Sequence, residues 1–236
     1  MDPKTKYAIH EASREGGTSR VESLLAANPK LASLRDEDDR LPVHWATSYN
    51  HLPIVELLSQ QKGFDVDAQD GSGWTPLMMA CSRKDAEAIV ALLLRKDADV
   101  NAKNNNGQTA LHFCASKIAL DLARTLLAQS PPASARIKDK RGQLPLHRAA
   151  AVGSVPMMKI LLDAKSPLNA ADIDGMTALH HAISEGHGDA ALLLLTQGAD
   201  FEKEDKNGNK ALDLVPDAKT RSFILQATER EGIDLE

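Results

Sequence analysis

The sequence predicts an all-α solenoid of about seven helix-turn-helix repeats joined by β-hairpin fingers. Three observations point there. A Thr-Pro-Leu-His-like tetrad recurs down the chain every 33 to 35 residues. Hydrophobic residues make up 42% of the 236 positions but aromatic residues only 3%, so the core is aliphatic and built from small units. Asp-x-x-Gly turn signals stand before four of the tetrads, at Asp70–Gly73, Asp139–Gly142, Asp172–Gly175 and Asp205–Gly208.

The tetrad is read directly in Trp74-Thr75-Pro76-Leu77, Gln108-Thr109-Ala110-Leu111-His112, Leu144-Pro145-Leu146-His147 and Met176-Thr177-Ala178-Leu179-His180. Leu41-Pro42-Val43-His44 is a looser copy, Ile9-His10 a reduced first one and Ala211-Leu212 a reduced last one. The apolar residue before the His position marks each copy: Ile9, Val43, Leu77, Leu111, Leu146, Leu179 and Leu212. Three residues on stand Ala12, Ala46, Ala80, Cys114, Ala149, Ala182 and Val215. Twelve on stand Val21, Val55, Ile89, Ala123, Met158, Ala191 and Ile224, and fifteen on a leucine from Leu24 to Leu194. Seven before the later markers stand Asp36, Asp70, Asn104, Asp139, Asp172 and Asp205.

Each element follows from these offsets. The marker and the residue three on share one face of a short first helix, which Thr75, Thr109 and Thr177 can cap and which Pro76 suits at its first position. Apolar residues twelve, fifteen and sixteen after the marker describe a second helix. Neither helix could bury enough surface alone, and stacking supplies the core. The Asp-x-x-Gly stretches form the fingers. End copies need polar outer faces: the first carries Lys4, Lys6, Glu11, Arg14 and Glu15, and the last ends in Glu229, Arg230, Glu231, Asp234 and Glu236, so both read as caps. The expected organisation is one domain, 1–236, with repeats at 4–38, 39–72, 73–106, 107–141, 142–174, 175–207 and 208–236. Ser130-Pro131-Pro132-Ala133-Ser134 is an irregular, stiffened turn in the fourth.

Composition narrows the function. A net charge of −5 argues against non-specific nucleic-acid binding, and no nucleic-acid partner is expected. Two cysteines, Cys81 and Cys114, exclude a disulfide framework and favour a reducing compartment. The start, Met1-Asp2-Pro3-Lys4, carries no apolar signal, and the runs Ala88 to Leu94 and Ala190 to Leu195 are too short to span a bilayer. The expectation is a soluble cytoplasmic and nuclear protein with no membrane partner, monomeric on its own.

Candidate chemistry dissolves on inspection. His10, His44, His112, His147 and His180 share one repeat position, about 10 Å apart by helix-packing distance, too far for one metal ion. His180, His181, Glu185 and His187 form the densest group, and no metal is expected there. Cys81 and Cys114 read as buried thiols. No nucleophile elbow, P-loop or dinucleotide fingerprint is present, and the glycines of Glu185-Gly186-His187-Gly188-Asp189 belong to a turn. No catalytic residue, metal or cofactor is expected, and the chain does not read as an enzyme.

A partner would meet the fingers and first helices. Positions three before the marker (Arg40, Trp74, Gln108, Gln143, Met176, Asn209) and six after it (Glu15, Tyr49, Arg83, Lys117, Val152, Glu185) should point into that concave face. Trp45, Met78, Met79 and Phe113 lie beside the markers, where core and contact roles are both open, and Trp74 on a finger favours contact. Acidic Asp36, Glu37, Asp38, Asp39, Asp65, Asp67 and Asp70 come early, and basic Arg136, Lys138, Lys140, Arg141 and Arg148 later. That order suits a partner of opposite polarity.

The period and the Thr-Pro-Leu-His signature resemble the ankyrin repeat over nearly the whole chain. Asp38-Asp39-Arg40-Leu41-Pro42-Val43-His44-Trp45-Ala46, Asp70 to Leu77, Ile137-Lys138-Asp139-Lys140 with Leu146-His147-Arg148-Ala149-Ala150, and Glu185-Gly186-His187-Gly188-Asp189-Ala190-Ala191 resemble the gankyrin family and its fungal orthologues. The resemblance implies an assembly chaperone of the proteasome regulatory particle. Such a protein binds the C-terminal domain of one proteasomal AAA-type ATPase subunit and blocks premature docking on the core particle. By motif position Arg40 and Lys117 match basic contacts to the ATPase's glutamates, and Asp39 and Asp70 match acidic positions facing its arginines. The partner-binding set expected on these grounds is Asp38, Asp39, Arg40, Trp45, Tyr49, Asp70, Trp74, Met79, Arg83, Phe113, Lys117, Lys140, Arg141 and Arg148. The family's Leu-x-Cys-x-Glu stretch is replaced by His181-Ala182-Ile183-Ser184-Glu185, so the retinoblastoma-binding activity tied to it is not expected. An alternative is an ankyrin-repeat adaptor or inhibitor of another signalling or transcription protein.

Overall fold

The computed structural model describes residues 6–235; Lys4 and Glu236, assigned to the end caps, lie outside the described residues. Its contacts fall into two compact units, Met1–Ala110 and Leu111–Glu236. In the first, helix pairs α1 (Ala8–Glu15) and α2 (Thr18–Ala27), α3 (Pro42–Ser48) and α4 (Leu52–Ser59), and α5 (Pro76–Cys81) and α6 (Glu87–Arg95) follow one another. A short 3₁₀ turn, Pro29–Ser33, extends the first pair. The second unit holds α7 (Ala110–Lys117, starting at the boundary) and α8 (Leu120–Leu127), α9 (Pro145–Ala151) and α10 (Val155–Asp163), and α11 (Ala178–Ser184) and α12 (Gly188–Thr196). It closes with a 3₁₀ turn, Ala211–Leu214, and α13 (Ala218–Arg230).

The repeat offsets are the core. Val21, Val55, Ile89, Ala123, Met158, Ala191 and Ile224, twelve after their markers, are all fully buried. So are Ala12, Ala46, Ala80, Cys114, Ala149 and Ala182, where a small side chain lets the first helices approach. In the last copy a 3₁₀ turn replaces the first helix and shifts the register, so Ala211 is buried in place of the marker Leu212, which is half-buried.

Two devices start the first helices. Thr75 and Thr177 are caps, their hydroxyls accepting the backbone N–H of Met78 and His180. Where the cap position holds a leucine, the histidine takes over: the N–H of Leu41 donates to His44 Nδ1 at 2.9 Å and that of Leu144 to His147 Nδ1 at 3.0 Å. Proline then occupies the opening turn in α3, α5 and α9.

The expected β-hairpin fingers take a reduced form. Each is a tight loop closed by two backbone bonds, as from Asp70 N to Trp74 O with Gly73 N to Asp70 O, and from Asp139 N to Gln143 O with Gly142 N to Asp139 O, and no run of strand forms among the described residues. Among those residues only Glu204 and Lys210 make an isolated bridge. Neighbouring fingers are joined tip to tip: Gly71 N donates to Asp38 O, Asn105 N to Ser72 O, Ile173 N to Arg141 O and Lys206 N to Asp174 O. Gly73 shows why these tips take glycine, since its φ is +77° and a Cβ there would lie 2.7 Å from the Asn105 nitrogen.

Candidate protein-binding site

The finger aspartates hold the surface. Asp70 Oδ1 accepts the N–H groups of Ser72 and Trp74, both at 2.9 Å, and Asp139 and Asp172 close their own turns in the same way. That leaves Oδ2 to reach the first helix that follows the finger. Asp36 takes the Trp45 indole N–H at 2.6 Å, Asp139 takes Arg148 Nη2 at 2.9 Å, and Asp172 takes His181 Nε2 at 3.0 Å. All three pairs are nine residues apart. Burial pushes the Asp36 carboxyl up, but the bonds from Trp45, Arg40 and Asp38 outweigh it and hold it below its ordinary value. Asp172 is also held below, burial being outweighed by Gln143, His181 and two backbone N–H groups.

The five repeat-position histidines are structural wedges. Nε2 of His44 meets Ala68 O at 2.9 Å, that of His147 meets Ala170 O at 3.0 Å, and that of His180 meets Asn209 O at 3.3 Å. His10 reaches Leu34 O and Arg40 O, and His112 reaches Gln143 O. Each ring ties a first helix to the following finger, and all five sit at 4% exposure or less. With Nδ1 of His44 and His147 accepting and Nε2 donating, these rings are neutral. Burial lowers the pKa of His10, His44 and His180, and burial together with neighbouring His181 lowers that of His147 to about 4. Among the described residues no group of three or more His, Cys, Asp or Glu is arranged to hold a metal ion.

In the first unit the expected contact residues gather. Arg40 Nε donates to Asp70 Oδ2 at 3.2 Å, and its guanidinium lies 5.0 Å from the Trp45 ring centroid. Tyr49, half-exposed, stacks on Trp45 with centroids 6.3 Å apart. Arg40, Trp74, Met79 and Arg83 line one shallow hollow with Ser48 and Ser82. Met79 is buried and forms its floor, with the Ser48 hydroxyl 3.2 Å from its sulfur. Asp38 and Asp39 are exposed on the finger tip; Asp39 is tied to Arg35, whose Nη1 lies 3.6 Å from its carboxylate. A second cleft is lined by Trp45 together with Tyr7, His10, Glu11, Arg14, Asp36, Glu37 and Asp38.

In the second unit Phe113 is half-buried, and Lys117, Lys140 and Arg141 are exposed. Arg141 faces Asp174 at 3.7 Å, both half-solvated. Arg148 is held by buried Asp139, and among the described residues its Nε hydrogen meets no acceptor. Of the positions six after the marker, Glu15, Tyr49, Arg83, Lys117, Val152 and Glu185 are all exposed. Of those three before it, Gln143 departs from the expectation: it is buried, because its amide turns inward to Asp172 Oδ2 at 3.1 Å. Asp36, Ser48 and Ser82 belong to the surface but were not among the expected contact residues. The recurring nine-residue Asp-to-helix spacing was the signal for Asp36; nothing in the pattern marks the two serines.

The comparisons agree with this architecture. The family model for ankyrin repeats (three copies) matches residues 1–70, 62–137 and 120–205. A Saccharomyces cerevisiae protein named "Probable 26S proteasome regulatory subunit p28" is 38% identical over 226 residues, covering 94% of this chain and 98% of its own length. An ankyrin repeat-containing protein of Schizosaccharomyces pombe is 36% identical over 217 residues, 91% of this chain and 92% of that one. The crystal structure of the ankyrin repeat domain of Bcl-3 matches with a TM-score of 0.74 at 24% identity, over 92% of this chain and 97% of that one, which bears on the fold alone. The chain therefore belongs to the ankyrin-repeat family, and within it to the gankyrin-like proteins represented by the Saccharomyces cerevisiae relative.

Proposed function

We propose that this chain is a non-catalytic, proteasome-associated binding protein that holds the C-terminal domain of one proteasomal AAA-type ATPase subunit and assists assembly of the regulatory-particle base. The observation that carries the reading is the end-to-end similarity to a relative named as a proteasome regulatory subunit, 38% identical over 98% of that relative's length. The surface supports it: the hollow of Arg40, Trp74, Met79 and Arg83 offers aromatic and guanidinium groups in one place, the residue types that anchor protein interfaces. Asp38 and Asp39 on one finger, Lys140 and Arg141 on another and Lys117 at the end of α7 are solvent-facing charges that steer a charged partner more than they hold it. We place this activity in the cytoplasm and nucleus, with the free protein a monomer.

The test is a pull-down of purified ATPase C-terminal domains by the wild type and by the Arg40→Glu, Lys117→Glu double variant. Binding by the wild type that is lost in the double variant and weakened by added salt supports the reading. Equal binding by the two refutes the assigned surface. Failure of the wild type to bind any ATPase domain refutes the partner.

A further inference from the structure

The chain between first and second helices makes the same turn in most repeats. One residue in the left-handed region lets the following N–H reach a carbonyl five positions back: Gly17 to Ala12, His51 to Ala46, Ala119 to Cys114, Ser154 to Ala149 and His187 to Ala182. The left-handed residue is Gly16, Asn50, Gly153 or Gly186 in four of these turns, residues that tolerate that backbone. In the fifth it is Ile118, at φ +58°. Among the described residues it is the only β-branched side chain at positive φ. It is also 47% exposed. Isoleucine here strains the backbone and leaves half its apolar surface in water, so it brings the isolated chain no folding advantage over asparagine or glycine.

The surroundings say what could make use of it. Lys117, one residue before, is exposed. On the next repeat Val152 caps the end of α9, 37% exposed, one helical turn after Arg148. The carboxylates on these elements are committed: Asp139 to Arg148, and Asp121 on α8 to Arg124. The second unit thus presents exposed aliphatic side chains beside cationic ones.

We infer that the Lys117–Ile118 turn, with Val152, is an apolar contact point that selects the partner by receiving an aliphatic or aromatic side chain flanked by carboxylates. This rests on the proposed ATPase-binding reading and adds a residue that sets specificity. Strain spent at a contact point is a trade of stability for recognition.

The experiment pairs thermal melts with calorimetric titration against the purified C-terminal domain of each proteasomal AAA-type ATPase subunit. The proteins are the full chain and its Ile118→Asn, Ile118→Gly and Ile118→Val variants. Ile118→Asn should raise the melting midpoint by roughly 2–4 °C and weaken binding about 5- to 10-fold, while Ile118→Val keeps wild-type affinity. Wild-type binding matched by Ile118→Asn would overturn the contact, and an unchanged or lowered midpoint in both Ile118→Asn and Ile118→Gly would overturn the strain. Absence of wild-type binding to every domain would instead overturn the partner on which the inference rests.

Discussion

Arg40 and Asp70 stand on neighbouring fingers and are joined, guanidinium Nε to carboxylate Oδ2 at 3.2 Å. The aspartate is buried and already closes its own finger, while the arginine is partly exposed and lies over Trp45. One carboxylate therefore fixes both a loop and a contact residue. A double-mutant cycle with Arg40→Ala and Asp70→Asn should return a coupling of about 0.5–1 kcal/mol, modest because solvent reaches the arginine. Asp70→Ala, which also strands the N–H groups of Ser72 and Trp74, should cost more, about 1–3 kcal/mol in urea melts.

Core position and surface position should separate cleanly. Leu161, fully buried fifteen residues after its marker, should lose about 2–5 kcal/mol on Leu161→Ala. Exposed Lys159 on the same helix should lose less than about 0.5 kcal/mol on Lys159→Ala. Similar losses in denaturant melts would show the repeat register to be wrong.

Two glycines at nearly equal φ offer a cleaner contrast. Gly63, at +78°, has open space where a Cβ would go; Gly73, at +77°, would place one against the backbone of Asn105. Gly63→Ala should cost about 1 kcal/mol, the conformational penalty alone. Gly73→Ala should cost clearly more, with loss of amide protection at Asn105 visible in hydrogen exchange.

Acid should weaken the fold before the carboxylates titrate. His10, His44, His147 and His180 have native pKa values below the ordinary 6.5, so the unfolded chain binds protons first. Their stabilisation is complete above pH 6.5 and is lost as pH falls toward the native values, for His147 about 4. His147 alone contributes up to about 3 kcal/mol. Asp36 and Asp172, held below 3.8, are fully stabilising above that pH and lose their contribution only below it. Urea midpoints should therefore decline from pH 6.5 to 4 and more steeply beneath. In His147→Gln the decline across the upper window should be shallower.

The helices, the aliphatic core and the histidine wedges were legible because each depends on residue type at a fixed offset, and offsets survive in a bare sequence. Val21 through Ile224 could be placed inside without knowing any distance. The surface was legible only in part. That Tyr49, Arg83 and Lys117 face solvent follows from helical phase. That Arg40 spends its charge on Asp70, and that Gln143 turns inward to Asp172, depends on side-chain reach between repeats, which periodicity does not encode. The strain at Ile118 was hidden for another reason: the sequence shows an ordinary isoleucine, and only the backbone shows a position suited to glycine.

The wedge rings all point the same way along the chain, from a helix to the loop that comes after it. Shortening the protein is therefore not symmetrical. Cutting away everything from Asn209 onward would strip His180 of its carbonyl partner and leave a donor stranded inside what remains. Trimming α1 and α2 would remove the His10 ring, leave the Leu34 and Arg40 carbonyls it meets, and take the Arg14 carbonyl from the more exposed His51, but would strand none of the buried wedge rings. Stepwise deletion should erode the carboxyl end faster than the amino end, giving these modules a preferred order of unzipping.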